Sequence, residues 1–501
     1  MTDRSLPLQD WGPLGRVLAG AAGLAFGALV GWLVWMDGRL HLRLQIDLFG
    51  PELPLVDDLP FLPSLGLVGL LLALAGFVAW VLKSGSLDRP VLGLIAFSFV
   101  AEAFPVLSQA GLLLLLLLLA QRILRHGDMP FPTTLLMLPA LLILISYATT
   151  FVLTNEFLPI IPTFGYRLTA NFLIVALLPA IIRTRRQLEI FFHFLLVSAC
   201  ISVAVEWGQF ALSAVAHRPI TFLAGETAYD KVTTSFGTFP RLTGLQIHPN
   251  LQSNCISTLA VLALWFGLRP RRALSLGKRV FYLSAYVWLA LGVLFTFSRS
   301  GWLALGLASM VVPVFRFPRL APLYLMALGL SAAIGWKTGL LEATYHAVEN
   351  LQKASADFRW RIDHLAIEAF SRHPWFGIGT MGILDYYNPW RLQVHDTYKQ
   401  VLAEMGLFGV LAFGSFMGLV VWHLTKTYLT SRFSFDRDWV LGISLAFVVI
   451  LIQNAFVMFL WVRFLWLMVI LMEVVYMVSR NQTGRDPDDL IFLPPPRPTP
   501  A

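Results

Sequence analysis

Blocks of predominantly apolar residues recur along this chain, several of them 18 or more residues long, and they constrain its fold more than any motif does. One block contains eight consecutive leucines, Leu112–Leu119. A helix of about 20 apolar residues crosses the hydrocarbon core of a bilayer. The chain is 57% apolar and 13% charged, against roughly 25% charged for soluble globular chains. Its net charge of +8 lies on short connectors and not on one face, which excludes a nucleic-acid partner. Cys200 and Cys255 both fall in apolar blocks and offer neither a disulfide framework nor a zinc site. The class is an all-α polytopic membrane protein.

Apolar blocks closed by charge or Pro/Gly clusters predict spans near 14–36, 63–82, 91–105, 106–121, 133–153, 167–182 and 188–215. Further spans follow near 247–267, 280–298, 300–315, 320–336, 400–424, 439–460 and 462–479. The third and fourth could be one broken helix and the tenth is marginal, so the expectation is 12–14 transmembrane helices. One set of alternate short loops carries 17 basic residues, among them Arg183, Arg185, Arg269, Arg316 and Lys426, and the opposite set carries 7. Basic short loops stay in the cytoplasm, which places both termini there. The expected organisation is 1–336 as eleven spans, 337–399 as a long helical periplasmic loop before the third-last span, 400–479 as three more spans, and 480–501 as a disordered cytoplasmic tail.

Within the long loop, Val348, Leu351, Ser355, Phe358, Ile362, Leu365 and Ala369 recur at helical spacing and predict an amphipathic surface helix. It should stop at His373-Pro374, because proline removes a donor and restricts the residue before it.

Three residues on the outer side stand apart. Arg241 lies just before span eight, Arg299 lies where two spans meet almost without a loop, and His395 lies where the long loop meets span twelve. Singly, an arginine at a span end snorkels to headgroups, and a histidine there is a polar neighbour of a helix cap. Together, on one side of the membrane, two guanidinium forks suit phosphate oxygens and an imidazole can accept a proton. Arg361, and behind it Arg359, are further phosphate ligands on the surface helix. Trp375, Tyr386, Tyr387 and Trp390 serve either as interfacial anchors or as stacking surfaces for sugar rings. The string Gly377-Ile-Gly-Thr-Met-Gly382 reads as a tight turn, since it lacks the strand–turn–helix setting of a dinucleotide site. Glu102, His193, Glu206, His423 and Glu473 are scattered over five spans, and most of them read as paired within the bundle. No metal or cofactor site emerges.

At these residues the chain resembles the O-antigen ligase and polymerase superfamily of bacterial envelope glycosyltransferases. The resemblance rests on Arg241-Leu-Thr-Gly with His248-Pro-Asn250, on Ser298-Arg299-Ser-Gly301, and on His373-Pro-Trp-Phe-Gly-Ile-Gly379 paired with His395-Asp-Thr-Tyr398 and Glu404-Met-Gly-Leu-Phe-Gly409. It implies a GT-C-like bundle in the bacterial inner membrane. It also implies an undecaprenyl-pyrophosphate-linked saccharide as donor, and lipid A–core or a lipid-linked glycan as acceptor. His395 would be the base, and Arg241 and Arg299 would stabilise the leaving group, without a metal. Two positions depart from the pattern: Asp396 stands where the family commonly has Asn, and Lys399 where it has an apolar residue. Asp396 can cap the span helix, and its charge is expected to raise the pKa of His395. The alternative of another class is a non-catalytic transporter or flippase of lipid-linked saccharides.

Overall fold

The computed structural model describes residues 88–101, 177–179, 181–216, 231–234, 237–246, 248–270, 274–339, 353–379, 382–385, 393–431, 434–457 and 463–480, with a few isolated positions. The described chain is helical except for one hairpin, and it is an all-α membrane protein. The spans expected near 14–36, 63–82, 106–121, 133–153 and 167–182 lie wholly or largely outside the described residues, as does the tail 481–501.

Contacts divide the chain into two compact units, Met1–Pro130 with Glu189–Ser198, and Phe131–Leu188 with Ala199–Ala501. In the first, α1 (Asp88–Val100) buries Leu92, Ile95, Ala96 and Phe99. Helix α2 (Arg185–Ala216) contributes to both units.

The second unit continues with the strands β1 (Lys231–Thr234) and β2 (Gly237–Pro240), paired antiparallel with Lys231 opposite Pro240 and Thr234 opposite Gly237. The valine and threonines of Lys231-Val-Thr-Thr234 supply the β-branched residues a strand prefers, a local exception to the all-α expectation. Helix α3 (Pro249–Gly267) is buried at every residue. His248 caps it, its ring Nδ1 accepting from the Asn250 N–H at 3.0 Å, and Pro249 sits at the first turn, where no donor is missed. Around α3 pack α4 (Leu276–Phe295), α5 (Arg299–Arg316) and α10 (Ser434–Asn454). Between α5 and α10 come α6 (Ala321–Lys337), α7 (Lys353–Arg372), the short α8 (Gly382–Asp385) and the long α9 (Thr397–Thr430). The last helix is α11 (Arg463–Arg480).

Three described helices are long and apolar enough to cross a membrane: Arg185–Ala211, Leu276–Phe295 and Thr397–Thr430. Helix α6 is apolar along its length yet buries only Gly335, the pattern of a helix facing lipid.

Small polar residues set the spacing of the core. A Cβ on Gly301 of α5 would come 1.7 Å from Ser253 Oγ of α3, so the two helices meet where Gly faces Ser. At the other end of this unit, Asp438 accepts from Arg269 Nε at 2.6 Å and also pairs with Arg316, while Arg185 pairs with Asp436 at 3.2 Å. Four of the short connectors read as one side of the membrane therefore gather at one end of the bundle. His423 of α9 and Glu473 of α11 are paired inside, 2.8 Å apart, with the His423 ring stacked on Tyr476.

Candidate functional site

The loop that carries Arg241 is latched to α2. Ser202 and Gln209 stand two turns apart on one face of that helix. Ser202 Oγ accepts from the Leu245 N–H at 2.9 Å and donates to Gln252 Oε1 at 3.0 Å. Gln209 Oε1 accepts from the Gly244 N–H, and its amide donates to Thr243 Oγ1. Gly244 has φ +56°, and a Cβ there would lie 2.8 Å from the Ser202 carbonyl oxygen, so the close docking of Arg241-Leu-Thr-Gly244 needs its glycine. The docked loop buries Arg241. Its Nη2 donates to Asn250 Oδ1 at 2.7 Å and its Nε to the Thr296 carbonyl at 3.1 Å.

Arg299 arrives by a different device. The turn between α4 and α5 is so tight that Phe297 takes φ +49°, and Gly301 lets the first turn of α5 press against α3. Arg299 then opens α5 beside Ser298 and Ser300, half-buried.

A second clasp sets His395. Helix α9 breaks at Gly406, φ +62° and ψ −160°, which frees backbone groups on both sides of the kink. The loop after α7 satisfies them. Ile378 N–H donates to the Ala403 carbonyl and Gly379 N–H to that of Glu404, while Leu407 and Phe408 N–H donate to the Pro374 and Trp375 carbonyls, all at 2.8–3.1 Å. The paired motif of His373–Gly379 and Glu404–Gly409 is thus one backbone joint. Gly377 is in a turn at φ +72°, as the tight-turn reading expected. Glu404 sits inside, its carboxylate accepting from Gln400 Nε2 at 3.2 Å, in the polar network and not on His395.

These devices meet at a cleft of about 520 Å³. Helix α5 and its cap supply Ser298, Arg299, Ser300 and Leu303; α7 supplies Arg359, Trp360 and Asp363; the start of α9 supplies His395 and Lys399. Asn250 lines it from α3, and Ala455 and Phe456 close it beyond α10. Four basic side chains face one carboxylate. Such a wall suits a polyanion and is a poor donor set for a divalent cation, which prefers several carboxylate oxygens.

His395 and Arg299 share this cleft, whereas Arg241 does not line it. Arg241 reaches the cleft through Asn250, and its charge bears on His248, as do those of His395 and Arg359. Arg359 lines the cleft, while Arg361 is exposed and does not, which inverts the order expected from sequence. The reason is helical phase. Arg359 and Asp363 are four residues apart on one face, and Arg361 is about 200° round from Arg359. Trp375 is 66% exposed and outside the cleft; Tyr386, Tyr387 and Trp390 lie outside the described residues. Trp360 and Asp363 were missed. Their spacing from Arg359, one residue for Trp360 and four for Asp363, was the available signal.

His395 Nδ1 lies 2.8 Å from the Gln393 carbonyl. A carbonyl only accepts, so Nδ1 carries the proton and Nε2 keeps its lone pair. Burial holds the imidazole below its ordinary pKa; the nearby Arg359 cation pushes the same way, against the Gln393 bond and the Asp363 charge. The expected rise from Asp396 is not what results. The Asp396 carboxylate caps α9, accepting from the Tyr398 and Lys399 N–H groups at 2.9 and 3.2 Å.

Residues 284–414 match the family model described as O-antigen ligase. The match supports the O-antigen ligase and polymerase superfamily for this stretch. The ligase domain begins inside α4 and takes in Arg299, α7, His395 and the Gly406 joint; Arg241 and Asn250 precede it. The match supports O-antigen ligase-type glycosyl transfer in general. No curated protein matches the chain.

Proposed function

We propose that this protein is an inverting, metal-independent glycosyltransferase of GT-C-like architecture in the bacterial inner membrane. It moves a saccharide from undecaprenyl pyrophosphate to an acceptor hydroxyl at the periplasmic face. The observation that carries the reading is the meeting of His395, Arg299 and Arg359 in one cleft, although they lie 36 or more residues apart in sequence.

In this mechanism an acceptor hydroxyl attacks the anomeric carbon from the face opposite the pyrophosphate. The bond between the anomeric carbon and the pyrophosphate oxygen breaks, and its electron pair leaves with the pyrophosphate. His395 Nε2 takes the hydroxyl proton, with Nδ1–H held on Gln393. Arg299 and Arg359 meet the charge growing on the leaving group. Arg241 acts one layer back, fixing Asn250 and the end of α4 at the cleft wall. Trp360, at the rim, offers a ring face to a sugar. The periplasmic assignment is supported by the gathering of Arg185, Arg269 and Arg316 at the end of the bundle read as cytoplasmic. The acceptor is lipid A–core for a ligase and a second lipid-linked glycan for a polymerase.

The test is reconstitution in proteoliposomes with an undecaprenyl-pyrophosphate oligosaccharide and each acceptor in turn, with EDTA present. Product on lipid A–core selects the ligase, and a ladder of lengthened chains the polymerase. Passage of donor across the bilayer with no new glycosidic bond overturns the reading in favour of a transporter. Loss of turnover in EDTA overturns metal independence.

A further inference from the structure

The ion pair between Lys399 and Asp363 has no part in the chemistry above, and it is not what docks α7. That helix is held on α9 by Ile362, Ala366 and Ala369, which pack with Val394 and Ala403, and by the four backbone bonds of the Gly406 joint. A partly exposed ion pair adds little to such docking.

The position of Lys399 has another consequence. One carboxylate bears on His395, Asp363 on α7, which shares the cleft; a second, Asp396, is its neighbour in the chain and caps α9. Carboxylates beside an imidazole favour its protonated form. Lys399 Nζ lies 2.6 Å from Asp363 Oδ2 and 3.4 Å from Asp396 Oδ2, so one ammonium serves both. Among the described residues, the other charged or titratable groups that share the cleft or bear on His395 are Arg359 on α7, Arg299 on α5 and His248, which caps α3.

We propose that Lys399 is a counter-charge, a positioning residue that keeps His395 ready to accept a proton although the Asp363 carboxylate shares its cleft. The inference rests on His395 being the base, as read above. It makes the two departures at 396 and 399 a single coupled change: a carboxylate at the helix cap, and one turn later the ammonium that offsets it.

The test uses the full-length protein in proteoliposomes and two readouts. One is the rate at which diethyl pyrocarbonate modifies His395, followed by mass spectrometry against pH, which reports the neutral imidazole without any turnover. The other is the pH profile of kcat/KM with undecaprenyl-pyrophosphate oligosaccharide. In K399M the modification midpoint and the acid limb should both move up by about one pH unit, which lowers kcat/KM about tenfold below the midpoint. K399M/D363N should bring both back. An unmoved midpoint in K399M overturns the proposal, as does a shift that D363N fails to reverse. A raised donor KM with an unmoved midpoint overturns it too, and makes Lys399 a donor ligand. Full turnover in H395A overturns the base assignment, and the modification midpoints separate that failure from this one.

Discussion

Gly377 and Gly406 meet with no room for a methyl group between them. A Cβ on Gly406 would come 2.6 Å from the Gly377 nitrogen, and one on Gly377 would come 2.4 Å from the Glu404 carbonyl carbon. Both glycines have positive φ, and at Gly406 the pair φ +62°, ψ −160° is open to glycine almost alone. The contact joins the surface helix α7 to the span helix α9 and so fixes Arg359 and Asp363 opposite His395.

G406A should therefore lose about 2–4 kcal/mol, from backbone strain plus overpacking. The measurement is the Tm of the detergent-purified protein. G414A lies in the same helix with open space around its Cβ position, so it should be neutral or stabilising by up to about 1 kcal/mol. Equal Tm values for the two variants would show that the kink carries no constraint.

At Gly301 the obstacle is a side chain, which permits a rescue. G301A places a methyl on Ser253 Oγ and should cost about 1–3 kcal/mol. Adding S253G removes the clash and should recover more than half of the lost Tm. Failure of the second substitution to help would mean that Gly301 is needed for something other than its contact with α3.

Arg241 and Asn250 are coupled by a charge-assisted bond within a buried wall of the site. R241A and N250A should each reduce turnover, and the double variant should be no worse than the poorer single one by much. The cycle should give a coupling of about 1.5–3 kcal/mol. R241K should fail nearly as badly as R241A, because Arg241 reaches the Thr296 carbonyl and Asn250 through two separate nitrogens of its planar fork, which a compact ammonium does not reproduce.

For His395, replacement by alanine should cost about 10²–10⁴-fold in kcat with an unchanged Tm. The sign of the pH dependence follows from the depressed pKa. A base is active when unprotonated, so activity should persist as pH falls past the ordinary imidazole value of 6.5 and fail only below it. An acid limb above 6.5 in the wild-type profile would contradict the burial and the Arg359 contact that hold His395 low.

Much of this was legible along the chain. Long apolar blocks announce membrane helices because backbone groups must be satisfied internally in lipid, and the described helices 185–216, 276–295 and 397–430 fall where such blocks lie. The stop at Arg372 before His373-Pro374 follows from local sterics. Residue types also carried the chemistry: Arg299 and His395 were singled out by their side chains and their place at span ends. The hairpin at 231–240 was not seen, since two four-residue strands carry too short a pattern to separate from loop.

What sequence by itself determined, then, is a class of fold and a vocabulary of groups, because hydropathy, proline sterics and guanidinium or imidazole chemistry are properties of single residues and their near neighbours. The tertiary structure alone decided that Arg241 stands behind Asn250, that Arg359 and not Arg361 faces the cleft, and that Lys399 spans Asp363 and Asp396. Those are matters of helix phase and of contacts as close as the length of a hydrogen bond. They depend on where Gly301 and Gly406 let backbones approach, which no pattern read along one segment can supply.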